Sequence, residues 1–166
     1  MRRASIVLVA ALIAAGCGST PAPTPASPAA TAEVLGPGPR HNAADVAFVS
    51  ALIPHHRAGI ALAGSVATNP DARTLAEAII VTQQDEVVRM TDWLRVWGAN
   101  PPASTPPGSA PAAPVRALIA HQEEAVRLAQ QEQANGANPT ALAYAEQIVE
   151  SRTAQIEQLR QLHALA

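Results

Sequence analysis

Leu52-Ile53-Pro54-His55-His56 and, 66 residues later, Leu118-Ile119-Ala120-His121-Gln122 are two copies of one opening, and their recurrence decides the fold. The offset holds beyond the pentapeptides. Gly59, Ile60, Leu62 and Ala63 align with Ala125, Val126, Leu128 and Ala129. Further along, Ala76, Ile79, Met90 and Trp93 align with Ala145, Ile148, Leu159 and Leu162 at an offset grown to 69. Internal repetition of this kind fixes architecture before any site is considered. Each half is a helical hairpin, and the second hairpin has the longer turn.

Outside the repeat the composition changes abruptly. Of fifteen prolines, six fall between Gly18 and Arg40 and six between Pro101 and Pro114. Such stretches cannot bury a core and read as a tether and a linker. The expected organisation is a signal peptide over 1–17, a Pro/Ala-rich tether over 18–41 and one domain over 42–166. Within that domain lie a hairpin at 42–98, a linker at 99–114 and a hairpin at 115–164. At the start, Arg2 and Arg3 precede an apolar run from Ala4 to Ala15, too short for a spanning helix. Ala14-Ala15-Gly16-Cys17 resembles the lipobox of bacterial lipoproteins, with Ala14 where leucine is usual. It implies an acylated Cys17 anchoring the chain to the bacterial cell membrane on its extracytoplasmic side. The blander alternative is an ordinary cleaved signal with a spare thiol. Cys17 is the single cysteine, which excludes an internal disulfide and a thiolate metal cluster.

Without residues 1–17 the chain keeps nine arginines and no lysine against thirteen acids. An acidic balance argues against nucleic acid as a partner, and so does the scarcity of aromatic rings on which bases could stack.

Hydrophobic periodicity places four helices, at about 43–67, 71–97, 115–134 and 139–164. Phe48, Leu52, His55, Gly59, Leu62 and Val66 recur at helical spacing and form the buried seam of the first. Ala76, Ile79, Gln83, Glu86, Met90, Trp93 and Trp97 do so in the second. The third seam runs through Leu118, His121, Ala125 and Leu128, and the fourth through Ala145, Ile148, Arg152, Gln155, Leu159 and Leu162. Antiparallel pairing about turns near Asn69 and Ala137 sets His55 and His56 level with Gln83 to Glu86, and His121 level with Arg152 to Gln155. The spacing therefore predicts an all-α fold, an antiparallel four-helix bundle built from two repeated hairpins. One polar layer in it collects His55, His56, Gln83, Glu86, His121, Glu124, Arg152 and Gln155, where bundles place metal and cofactor sites. Pro54 denies Ser50 its helical hydrogen bond and should kink the first helix.

Asp45-x-x-Phe48, Pro54-His55-His56, Ala61-x-Ala63 and Gln83-x-x-Glu86-x-x-x-Met90 together resemble the signature of domain of unknown function family three hundred and five. The resemblance spans roughly Asn42 to His163 and implies an exported, ferritin-like bundle with a metal role. Two departures qualify that role. Relatives are rich in methionine around both histidine pairs, whereas only Met90 remains here once the leader is gone, so soft Cu(I) finds little to bind. The second half has Gln122, Arg152 and Gln155 where the first has His56, Gln83 and Glu86, which makes any site lopsided.

Two readings of the layer stay open. In the first, His55, His56, Glu86 and His121, with Gln83, Met90 and Glu124 as further candidates, offer nitrogen and oxygen donors to copper(II) or zinc(II). Adjacent histidines point about 100° apart on a helix, so His55 and His56 do not chelate one ion side by side. In the second, Glu86 pairs with Arg152 and the layer is a closed polar network in a module that meets some envelope protein. No Glu-x-x-His pair for a di-iron centre and no nucleophile with a base at legible spacing occurs, so no enzyme is expected.

Overall fold

The computed structural model describes residues 36–104 and 108–164. The expected signal peptide, Cys17 and the tether as far as residue 35 lie outside the described residues. Four helices form in order: α1 (Ala43–Val66), α2 (Arg73–Val96), α3 (Pro114–Asn135) and α4 (Pro139–Ala164). No strand occurs among the described residues.

Local chemistry sets the helix starts. Asn42 caps α1, its Oδ1 accepting from the N–H groups of Ala44 at 2.8 Å and Asp45 at 3.0 Å. Asp45 Oδ2 accepts from Asn42 N at 2.6 Å in return, closing a capping box. Asn138 caps α4 without a reciprocal bond, accepting from Thr140 and Ala141 N–H at 3.0 Å, with Pro139 pre-set in the first turn. Pro54 sits inside α1, which stays helical from end to end.

α1 packs against both α2 and α3, and α4 packs against α3. α1 and α3 are antiparallel, since Asn42 Nδ2 donates to Asn135 O at 2.9 Å while His55 meets His121 further along. Two hairpins thus lie against each other through their first helices. The linker returns beside α1, where Arg57 Nη1 donates to Pro102 O at 3.4 Å. By length and hydropathy α1 could cross a membrane. Its apolarity has a nearer cause: it has two helical neighbours, and it buries Asp45 and His56 among its apolar side chains.

Two apolar clusters fill the interior. One holds Phe48, Leu52, Met90, Trp93, Tyr144 and Ile148, the other Ala63, Val66, Ile79, Leu118 and Leu159. The α2 seam is buried throughout as the periodicity predicts. On α1 and α3 the seam rotates, so that His56 and Ala63 are fully buried and His55 and Leu62 are half-buried. Likewise Gln122, Ala129 and Glu132 are buried on α3, with His121 and Leu128 half-buried. A seam drawn against one hairpin partner misplaces the faces of helices that also pack across the bundle. On α4 Ile156 and Tyr144 turn inward and Gln155 only partly so.

The folded body begins earlier than residue 42. Pro37 is buried, Asn138 Nδ2 donates to the carbonyls of Pro37 and Arg40, and Trp97 Nε1 donates to Gly38 O at 3.0 Å. His41 stacks on Trp97 with ring centroids 5.1 Å apart. The segment 37–41, expected as tether, is a strap across the end of the bundle.

Candidate functional site

The two apolar clusters are separated by polar side chains at mid-bundle, and these fall into two unlike halves. In the first, Glu86 on α2 reaches across to Arg152 on α4, Arg152 Nη2 donating to Glu86 Oε2 in a buried ion pair. His56 Nε2 approaches the same oxygen at 2.7 Å, too far off the N–H direction for an aligned hydrogen bond. Burial opposes the charge on Glu86. The contact with His56 and the charge of Arg152 outweigh it and hold the carboxyl below its usual range. Burial likewise depresses His56, against the pull of Glu86, so the imidazole is neutral beside a carboxylate.

The second half centres on His55 and His121, whose rings stack with centroids 3.7 Å apart and planes 16° from parallel. These residues occupy equivalent places in the repeat, so their contact marks the pseudo-two-fold axis relating the hairpins. Burial, aided by neighbouring imidazoles and Arg152, pushes His55 down to about 3 and His121 down to about 4. Both rings are therefore neutral at physiological pH. His55 Nδ1 and Nε2, His121 Nε2 and Gln83 Oε1 are all buried without a hydrogen-bond partner. Gly59 makes room for them. A β-carbon there would lie 2.3 Å from Gln83 Oε1 and 2.7 Å from His121 Nε2, so both atoms converge on the space a side chain would fill.

Gln122 links the halves. Gln83 Nε2 donates to Gln122 Oε1 at 3.3 Å, and Gln122 Nε2 donates to Gln155 Oε1. In the sequence Gln122 counts only as a lost histidine. In the structure it is fully buried and joins α2 to α4.

The candidate residues are thus only partly brought together. His55, His121 and Gln83 converge, while His56 lies against Glu86, which Arg152 holds. Met90 lies in the apolar cluster beside Trp93, and Glu124 pairs near the surface with Arg127. Among the described residues no three His, Cys, Asp or Glu side chains are arranged to hold a metal ion. The four-ligand set His55, His56, Glu86 and His121 is not assembled, because the cation of Arg152 takes the carboxylate an ion would need. What the layer offers instead is two neutral imidazoles and an amide oxygen, a set that fits copper(II) or zinc(II) better than Cu(I).

These features define a class: an antiparallel four-helix bundle of two pseudo-symmetric hairpins with a histidine-bearing polar layer at its middle. The chain belongs to the family described as domain of unknown function (DUF305), whose model matches residues 45–114 and 112–163. Solved structures agree. The copper(II)-bound form of CopM is 25% identical with a TM-score of 0.64, covering 72% of this chain and 95% of that one. The apo form of CopM aligns at 25% identity and a TM-score of 0.62, covering 72% and 96%. A DUF305 fragment from Deinococcus radiodurans, 21% identical, has the same fold with a TM-score of 0.66 over 77% of this chain and all of that one. Among curated proteins none matches the chain.

Proposed function

We propose that this chain is an extracytoplasmic bundle protein, tethered to the membrane through Cys17, that binds copper(II) or zinc(II) through His55, His121 and Gln83. The observation carrying the reading is that Gln83 Oε1 and His121 Nε2 meet beside Gly59, and the nitrogens of His55 lie against His121, all buried without a hydrogen-bond partner. Polar atoms left without partners inside a protein are costly, and a cation would take one lone pair from each ring and the amide oxygen of Gln83. Neutral imidazole is the form that ligates, and burial keeps both rings neutral. The Cu(II)-bound structure of CopM supports copper(II), whereas its Cu(I) and silver forms hold softer ions than this donor set suits. Glu86 is not a ligand on this reading but a strut held by Arg152.

Stacked imidazoles cannot both aim in-plane lone pairs at one ion, so binding must open the stack. The test is calorimetric titration of the full chain with Cu(II) and Zn(II) at neutral pH. One ion per chain is expected, lost in His55→Ala and in His121→Ala and retained in Met90→Leu. No heat of binding in the wild type, or binding that survives both histidine changes, would overturn it. That outcome would leave the closed network, favoured by the Glu86–Arg152 ion pair, in a module that meets an envelope protein.

A further inference from the structure

At the strap end of the bundle, about ten residues along α1 from His55, a second buried polar group lies outside the layer. Asp45 is fully buried on α1 and Glu132 is 1% exposed near the end of α3. Three of the four lone pairs of Asp45 are in use: Oδ1 accepts from Ala137 N at 3.0 Å and Asn138 N at 2.9 Å, and Oδ2 accepts from Asn42 N at 2.6 Å, leaving one on Oδ2. Glu132 has no donor on either carboxyl oxygen. Its side chain folds back over Gly136, where an added β-carbon would sit 2.4 Å from Oε1, beside the Ala137 and Asn138 amides that Asp45 holds, which brings the two carboxyls to one side of the turn.

We infer that Asp45 and Glu132 share one proton and act as a clasp whose release with rising pH loosens the α3–α4 turn and the strap at 37–41. A carboxylate already accepting three backbone N–H groups stays ionised, so the proton belongs to Glu132, which donates it to Asp45. Glu132 stands at the C-terminal, electronegative end of α3, which also favours its neutral form. The groups around the pair supply no compensating charge. α1 contributes Asp45, the turn contributes uncharged Asn138, and the strap meets Asn138 through the backbone carbonyl of Arg40 rather than its guanidinium, while the strap's His41 ring is turned onto Trp97 and the Pro39 carbonyl. On the first two turns of α4 Tyr144 is turned into the aromatic cluster and Glu146 is exposed. At the end of α2, Arg95 is exposed and paired with Asp92. The clasp reaches the strap because one residue connects them: Asn138 gives its N–H to Asp45 and its side-chain amide to Pro37 and Arg40.

Burial, followed by the adjoining Asp45, raises the Glu132 carboxyl to about 8. Because this value lies above the 4.5 of a free glutamate, the clasp is at full strength below about 4.5 and is lost as pH rises toward 8. Over that window one proton leaves per opening, so the open fraction grows about tenfold per pH unit and levels off above about 8. The experiment is hydrogen exchange of the Ala137 and Asn138 amides in the full chain from pH 5 to 9.5, corrected for intrinsic exchange. Wild type should lose protection about tenfold per unit up to about pH 8, and Glu132→Gln should be flat. A flat wild-type profile, or the same slope in Glu132→Gln, would overturn the clasp. Should the glutamine variant fail to fold, carbon NMR of the wild-type Glu132 carboxyl decides: a midpoint below 6 refutes it, one near 8 sustains it. Metal binding does not enter either readout.

Discussion

Glu86 with Arg152 and His55 with His121 lie at one level of the bundle, yet their polar atoms are treated in opposite ways. The first pair is charged and joined through Arg152 Nη2 and Glu86 Oε2, with only Arg152 Nε left without a partner. The second is neutral and left with open lone pairs. The difference follows from the repeat itself. Glu86 and Arg152 sit at non-equivalent places, so the divergence of the halves could make one acidic and the other basic. His55 and His121 are equivalent positions meeting on the symmetry axis, where like faces like. Two imidazolium ions cannot share such a contact, and burial keeps both neutral. The ion pair joins α2 to α4, and the unsatisfied pair is the one on which the proposed function rests.

The largest expected effect tests the first half. Glu86→Gln should destabilise the protein by about 3 kcal/mol in chemical denaturation, because Arg152 then stays buried without its counter-charge. Adding Arg152→Gln should recover much of that loss. An unchanged single variant would mean that the ion pair is not what holds the two hairpins at this level.

A smaller effect separates the halves by pH. His55 and His121 are depressed in the folded state, so their contribution is present above the free imidazole value of 6.5 and lost as pH falls toward about 4 and about 3. Denaturation midpoints of the wild type should decline through that window, with His55, His121 and the likewise depressed His56 each able to take up a proton on unfolding. His55→Gln with His121→Gln should reduce the decline to the part that His56 contributes. A slope unaltered by the double change would assign it to other groups.

The smallest effect on stability is expected at Gly59. Gly59→Ala gains about 1 kcal/mol of helix propensity and loses a similar amount by crowding Gln83 and His121, so the melting temperature should barely move. Cu(II) or Zn(II) binding should nevertheless disappear in titration. A stable variant that still binds the ion would locate the site elsewhere.

Much of the fold is legible in the chain because periodicity and breakers are local properties. The two copies of Leu-Ile-x-His, the proline-rich linker and the apolar spacing specify four helices in two hairpins, and antiparallel pairing alone puts His56 level with Glu86. The Glu86–Arg152 pair is foreseeable on the same grounds, since a carboxylate and a guanidinium on buried seams need each other. Glu132 carries no such signal. It follows Gln131 and precedes Gln133 on what reads as a polar helix end, and only the turn folding back on Asp45 buries it. Gln122 is equally silent.

The sequence by itself determined helix number, hairpin pairing and the level at which polar residues gather, since each depends on spacing along one chain or across one turn. Only the tertiary structure decided which polar groups face each other. Packing α1 on α3 rotated both seams, brought His56 rather than His55 to Glu86, and stacked His55 on His121. A rotation of one helix by a single residue, about 100°, exchanges a ligand for a strut, and that angle is set by contacts between hairpins that no local pattern encodes.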